Sequence, residues 1–321
     1  MKDLVELGEI IESKIEDLIH PKFPNLLYDP IQYIMGLKGK RMRPLLVLMA
    51  HQLFDENIER ALHPAIAIEM FHNFTLLHDD IMDEAPLRRG RPTVHEKWDR
   101  NTAILSGDVM MIQAYQLLEK VNTNILKDVV SIFSKTAVKV CEGQKWDMDF
   151  EVEKNITLAQ YIKMIEYKTA VLLAASLKIG AITAGASKDE QDNLHNFGIN
   201  MGLAFQLKDD LLDVFGRPAD FGKQVGGDIL ANKKTFLYLK ALQLADSSDK
   251  QRLQFLYTNN DKSEGKINEV RAIFNNLNIQ KHTIDMMKAY HTKAMRHLDS
   301  ISSKNKQPLF VFSERLMDRI S

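Results

Sequence analysis

The stretch FHNFTLLHDDIMDEAPLRRGRPT, residues 71–93, decides how this chain is read. An apolar run ends in three aspartates, Asp79, Asp80 and Asp83, and Pro86, Arg88 and Arg89 follow at once. Residues four apart on a helix share a face, so Asp79 and Asp83 stack one turn apart, where like charges repel. A cation between them relieves that repulsion, and oxygen-only donors suit a hard divalent ion such as Mg²⁺. The pattern returns in QLKDDLLDVFGRP, residues 206–218, where Asp209, Asp210 and Asp213 keep the same spacing. One such cluster is a weak signal, because acidic helix faces are common and are mostly just solvated. Two copies, each closing an apolar helix and each followed by basic residues, argue for chemistry.

Bulk properties narrow the class. The 321 residues suffice for one large domain or two ordinary ones, and 45% hydrophobic residues for a sizeable core. With 42 basic and 43 acidic residues the net charge is −1, which gives no whole-molecule attraction to nucleic acid or an anionic membrane. The single cysteine, Cys141, forms no intramolecular disulfide and fits a reducing compartment. The first residues, MKDLVELGE, place acids where a signal peptide needs an apolar run. The most apolar stretch, 170–186, is broken by Lys178 and is short for a membrane span. The expectation is a cytoplasmic protein with no integral membrane segment.

Glycine and proline are few, and apolar residues recur at helical spacing with no run of alternation long enough for a sheet. The reading is all-α, a single domain over 1–321. Helices are predicted near 2–19, 29–38, 42–54, 58–84, 94–120, 123–142, 158–185, 188–215, 233–245, 247–257, 263–275, 278–302 and 306–317. Residues 144–151 read as a helix end and polar turn, 88–91 as a mobile basic loop, and 236–321 as helices and surface connections without chemistry.

Cations collect beside the acids. Lys38, Lys40, Arg41 and Arg43 crowd Gly39 at the start of an apolar helix. Free N–H groups and the helix dipole already favour anions there, so this is a phosphate site rather than a metal site. A solvated basic turn is the bland alternative. His72, seven residues before Asp79, shares the acidic face. Arg88 and Arg89 suit bidentate phosphate binding. Lys168, next to Thr169, lies in an apolar helix, where it snorkels to solvent unless an anion partners it. Gln206 precedes Asp209 and Asp210 on the same face. The glycine-containing stretch 216–228 reads as a flexible loop carrying Lys223 and Asp228 that could close over a charged substrate. Lys233 opens the next helix.

No Ser-His-Asp order, Cys/His metal spacing or Gly-rich nucleotide motif is visible. Carboxylates cannot bind phosphate directly, so opposed acids with separate cations suit a polyanionic substrate bridged by Mg²⁺. Apolar helix walls beneath imply a hydrocarbon tail under a charged head.

These motifs resemble those of the trans-isoprenyl diphosphate synthases, the polyprenyl synthetase family. Asp79-Asp-Ile-Met-Asp83 with Arg88-Arg89 resembles the family's first aspartate-rich motif. Asp209-Asp-Leu-Leu-Asp213 resembles the second, and Gly39-Lys-Arg-Met-Arg-Pro44 resembles its Gly-Lys-Arg-x-Arg-Pro segment. The likeness holds from about residue 30 to 240. It implies a helical bundle around a deep central cavity, usually a homodimer, with three Mg²⁺. Carried over by motif, Asp79, Asp83 and Asp209 ligate Mg²⁺ with Asp80 and Asp213 in support. Arg88, Lys168, Lys223 and Lys233 bind the allylic diphosphate, and Lys40, Arg43, His72 and Arg89 bind isopentenyl diphosphate. Thr169 and Gln206 line the reacting region beside Lys168. Leu-Lys-Gly stands before Lys40 where the family often has Gly-Gly, and two residues separate Asp80 from Asp83 where many bacterial short-chain enzymes have more.

Phe74 and Thr75, five and four residues before Asp79, resemble the chain-length positions of enzymes that stop near C20. The expected product is geranylgeranyl diphosphate, with farnesyl or longer polyprenyl diphosphates as alternatives. A non-catalytic prenyl-diphosphate-binding subunit, a terpene cyclase and an acidic helical scaffold are the rivals. Both acidic motifs are intact, which disfavours the first; a cyclase needs no Lys40, Arg43 and His72 set; a scaffold needs no Mg²⁺.

Overall fold

A computed structural model describes residues 2–18, 22–153, 155–216, 226–259 and 261–317. The described chain is helical apart from one two-stranded hairpin, and it divides into two compact units. One contains the chain up to Thr136 with Leu172–His195 and Ser300–Val311; the other contains Ala137–Val171, Asn196–Asp299 and the chain from Phe312 onward.

The first unit opens with α1 (Leu4–Glu16), α2 (Asn25–Gly36), α3 (Met42–Gln52) and α4 (Glu59–Met82). Asp3 caps α1 through a capping box with Glu6, and Leu7, Ile11 and Ile15 form its buried stripe. The α4 helix packs against α3 and against α6 (Arg100–Leu118). Its hydrophobic residues face inward all round, from Ala61 to Leu77, so it is the buried centre of this unit. The α2 helix begins earlier than its sequence suggested and carries Pro30 past its first turn. Burial of Ile31, Ile34 and Met35, and a bond from Ser106 Oγ to the Leu27 carbonyl (2.9 Å), hold it there.

The expected loop at 88–91 is instead a tight hairpin of β1 (Leu87–Arg88) and β2 (Arg91–Pro92). Arg89 (φ 52°) and Gly90 (φ 74°) form its turn, the pair of positive φ values that matches strand twist in a two-residue connection. The Tyr33 hydroxyl donates to the Pro92 carbonyl (2.8 Å) and ties the hairpin to α2. The predicted helix 94–120 is two helices, α5 (Val94–Lys97) and α6. It breaks because Asp99 turns extended and accepts the Thr102 N–H as an N-cap.

The second unit takes in the latter part of α7 (Thr123–Val152), α8 (Leu158–Ile165), a π-helical turn (Glu166–Ala170) that leads into α9 (Val171–Thr183), and most of α10 (Lys188–Phe215). There follow α11 (Gly227–Leu230), α12 (Phe236–Leu244), α13 (Ser247–Thr258), α14 (Glu264–Asn276) and α15 (Ile279–Asp299); α16 (Gln307–Met317) closes the described chain. The α12 helix packs against α8, α13, α14 and α15, burying Phe236, Leu237, Phe274 and Met287 in one core.

The α7 helix runs on through residues 144–151, correcting the expected polar turn. Tertiary contacts overrule the weak local signal. Phe150 enters the core, Trp146 stacks near Tyr167 (5.1 Å), and Lys234 Nζ donates to the last-turn carbonyls of Phe150 (2.6 Å) and Glu151 (3.0 Å).

Candidate active site

Both acidic motifs close helices. Asp79 and Asp80 lie in the last turn of α4, and Asp83 is its C-cap, with its N–H bonded to the Asp79 carbonyl (2.8 Å). Asp209, Asp210 and Asp213 occupy the last two turns of α10. For the carboxylates in the last turn, Asp79, Asp80 and Asp213, the negative end of the helix dipole is unfavourable by about 0.3–1 kcal/mol. Helix stability therefore does not explain either cluster.

In the first unit several predicted residues already have partners. Arg88 clamps Asp80 bidentately, Nε to Oδ2 at 2.7 Å and Nη2 to Oδ1 at 2.6 Å. Arg89 Nη1 donates to the Leu37 carbonyl (2.8 Å), and its guanidinium lies where a Cβ on Gly39 would stand. Arg43 Nη1 donates to His72 Nε2 (2.9 Å). Burial and the surrounding arginines hold the His72 imidazole well below its ordinary range, so it is the neutral acceptor. Burial pushes Arg43 down to about 10, still cationic at neutral pH, and its buried Nε has no protein partner. An orphaned cationic N–H of this kind is built for an anion. Lys40, three residues before it, is exposed.

Arg41 departs from the expected cation cluster. Held at φ 43°, it turns inward and donates to Glu69 (2.9 Å), Glu12 (3.0 Å) and the Met35 carbonyl (2.6 Å). It braces α1, α2 and α4 rather than facing substrate.

Phe74 sits between Phe71 (ring centroids 5.7 Å) and His78 (4.7 Å). Thr75 Oγ1 donates to the His72 carbonyl (2.8 Å). His78 in turn occupies space that any Cβ on Gly107 would fill.

The second unit holds a cavity of about 110 Å³ whose lining includes Lys168, Thr169, Gln206, Asp210, Asp228 and Lys233. Lys168 and Thr169 stand on the π-helical turn, which no residue pattern announced. Such turns recur at functional sites because the extra residue re-aims side chains. Gly143 makes room for it: a Cβ there would lie 2.3 Å from the Lys168 backbone nitrogen. Lys168 Nζ pairs with Asp147 Oδ2 (2.5 Å), so the lysine neither snorkels nor stands bare.

A polar chain crosses the cavity. Thr169 Oγ1 donates to Gln206 Oε1 (3.0 Å), Gln206 Nε2 donates to Asp210 Oδ1 (3.1 Å), and the Tyr161 hydroxyl donates to Asp210 Oδ2. Burial, then the nearby Asp228, push the Asp210 carboxyl up to about 8, opposed by those two hydrogen bonds. Tyr161 and Asp147 escaped the sequence reading, because their role depends on tertiary proximity rather than on spacing. Asp213 Oδ1 accepts the Asp228 N–H (2.9 Å) and so orders the segment that leads to Lys233. Of the paired cations Lys233 and Lys234, the latter caps α7. Lys223 lies outside the described residues.

Residues 24–274 match the polyprenyl synthetase family. The chain belongs to that family. It is a prenyltransferase, and its relatives bear this out. It is 39% identical to a geranylgeranyl diphosphate synthase of Methanosarcina mazei over 73% of this chain and 72% of that one. It is 36% identical to a geranylgeranyl diphosphate synthase of Sulfolobus acidocaldarius over 94% and 91%. A crystal structure of a geranylgeranyl pyrophosphate synthase superposes with a TM-score of 0.95 at 43% identity, covering all of both chains. The all-α expectation and the resemblance drawn from the motifs are both borne out. Among the described residues of this prenyltransferase, no helix is long and apolar enough to cross a membrane.

Proposed function

We propose that this prenyltransferase condenses isopentenyl diphosphate with allylic diphosphates to an all-trans product, geranylgeranyl diphosphate. The observation that carries the reading is the paired acidic motifs, each set at a helix C-terminus where the dipole penalises it. The names of the relatives supply the product class.

Mg²⁺ fits the donors. Among the described residues no three His, Cys, Asp or Glu side chains gather as a protein-only metal cage. Mg²⁺ seldom uses one; it takes one or two carboxylates and completes its shell with water and substrate phosphate. By motif, Asp79 and Asp83 would hold Mg²⁺ in the first unit and Asp209 would do so in the second, supported by Asp80 and Asp213 respectively. Bound there, it neutralises diphosphate charge as the C–O bond breaks.

The chain's own groups do the rest. Lys168, Lys233 and Arg88 bind the allylic diphosphate, with Lys223 assigned by motif alone. Arg43, Lys40, His72 and Arg89 bind isopentenyl diphosphate. Donation of the Thr169 hydroxyl proton to Gln206 leaves its oxygen lone pairs for an electron-poor allylic carbon. The isopentenyl double bond attacks that carbon, and the proton then lost passes to the departing diphosphate. No protein nucleophile is required.

The test is incubation with labelled isopentenyl diphosphate, each allylic starter and Mg²⁺, followed by chain-length analysis. Metal-dependent C20 product is expected. No elongation with any starter would favour a non-catalytic binding subunit.

A homodimer is part of the same proposal. Leu105 and Ile112, seven residues apart on one face of α6, are 58% and 59% exposed. Leu105→Asp combined with Ile112→Asp is expected to shift the sedimenting species from dimer to monomer. An unchanged mass would remove this face from the interface.

A further inference from the structure

The strongest unassigned feature is a buried lysine outside the lining of the cavity. Lys266 belongs to a stretch whose sequence suggested only a surface connection. In the structure its side chain is among the fully buried ones. Its ammonium donates to Asn232 Oδ1 (2.5 Å) and the Asn259 carbonyl (3.2 Å), both neutral acceptors. The ammonium also lies 5.9 Å from the Tyr257 ring centroid and within the field of Asp261, but no carboxylate touches it, so the two asparagines are its direct partners.

What it grips is informative. Asn232 adopts φ 57°, the left-handed conformation that reverses the chain between α11 and the Lys233–Thr235 stretch. The Lys233 N–H then bonds back to the Asp228 carbonyl (2.9 Å), setting the direction in which Lys233 leaves the turn. Lys233 and Asp228 both line the 110 Å³ cavity. The next residue of α14, Ile267, holds the other end of the same segment. Gly226, at φ 87°, packs so closely on it that a Cβ would meet Ile267 Cδ1 at 2.7 Å. Adjacent residues of one helix thus fix both ends of the segment that delivers Lys233.

We propose that Lys266 is a positioning residue for substrate diphosphate, acting through Asn232 to aim Lys233 into the cavity. The proposal rests on the assignment of Lys233 as an allylic-diphosphate ligand. Lys266 touches no substrate, and its effect should pass entirely through Lys233.

The experiment is a double-mutant cycle in steady-state kinetics on the full chain. Lys266→Met keeps the apolar stem and removes the ammonium. Its KM for the allylic diphosphate should rise about tenfold, the loss of one charge-assisted contact, with the KM for isopentenyl diphosphate unchanged. Lys233→Ala should raise the same KM, and adding Lys266→Met to it should cost nothing further. Asn232→Gly allows the left-handed turn but removes the gripped carbonyl; it should reproduce the Lys266→Met shift, and it decides the matter if Lys266→Met does not fold. A full effect of Lys266→Met in the Lys233→Ala background overturns the proposal. So does a normal allylic KM in Lys266→Met, or in Asn232→Gly should Lys266→Met not fold, while Lys233→Ala is impaired; in either case the diphosphate assignment stands. A normal KM in Lys233→Ala overturns that assignment and the proposal with it.

Discussion

Asp209→Ala is expected to lose turnover by at least about a thousandfold, ~4 kcal/mol of transition-state stabilisation, and to stay folded. Asp79→Ala should do the same. Asp79 sits in the last turn of α4, at the unfavourable end of its dipole, and Asp209 sits two turns from the end of α10, so neither carboxylate holds its helix together through the dipole. The thermal midpoint should therefore move little while activity vanishes. Asp210 provides the contrast. It is buried and accepts from Tyr161 and Gln206, so Asp210→Ala orphans two donors and costs roughly 1–3 kcal/mol for each. Activity assays paired with thermal melts separate the two behaviours. A nearly active Asp79→Ala or Asp209→Ala would count against the metal assignment.

Phe74→Ala is expected to lengthen the product by at least one isoprene unit beyond C20. The ring sits between Phe71 and His78, and neither neighbour is free to fill its place. Phe71 packs edge-on against Phe133 (5.2 Å), and His78 Nε2 bonds the Ile104 carbonyl (3.2 Å) while resting against Gly107. The vacated volume should therefore stay open. Phe74 is half-buried, so the stability loss should fall short of the ~3–5 kcal/mol typical of a fully buried Phe→Ala change. Chromatography of dephosphorylated products reads the outcome directly. An unaltered length distribution would remove Phe74 from the stopping role.

The sequence revealed what depends on periodicity and local spacing. Long amphipathic or fully apolar runs such as α4 and α10 declared themselves, and the two acidic motifs stood out because their spacing is itself the signal. Features that depend on distant contacts were hidden. The continuation of α7 needs Lys234 and the core around Phe150, some eighty residues apart in the chain. The π-helical turn needs Gly143 to make room for the backbone at Lys168. Arg41 and Arg43 look equivalent in a list of cations. Only packing separates them: one is tied to Glu12 and Glu69, while the other keeps an unspent N–H. The Arg89-Gly90 pair does carry a hairpin signal, but two-residue strands are too short to show alternation.

The clamp between Arg88 and Asp80 has a consequence for how the first unit meets its ligands. Each charge is quenched by the other, so a lone anion must compete with a carboxylate and a lone cation with a guanidinium. A metal–diphosphate complex offers both released groups a new partner in the same event. Under the proposed chemistry the pair works as a coincidence gate: neither half of the complex opens it cheaply, and the two together exchange one ion pair for two.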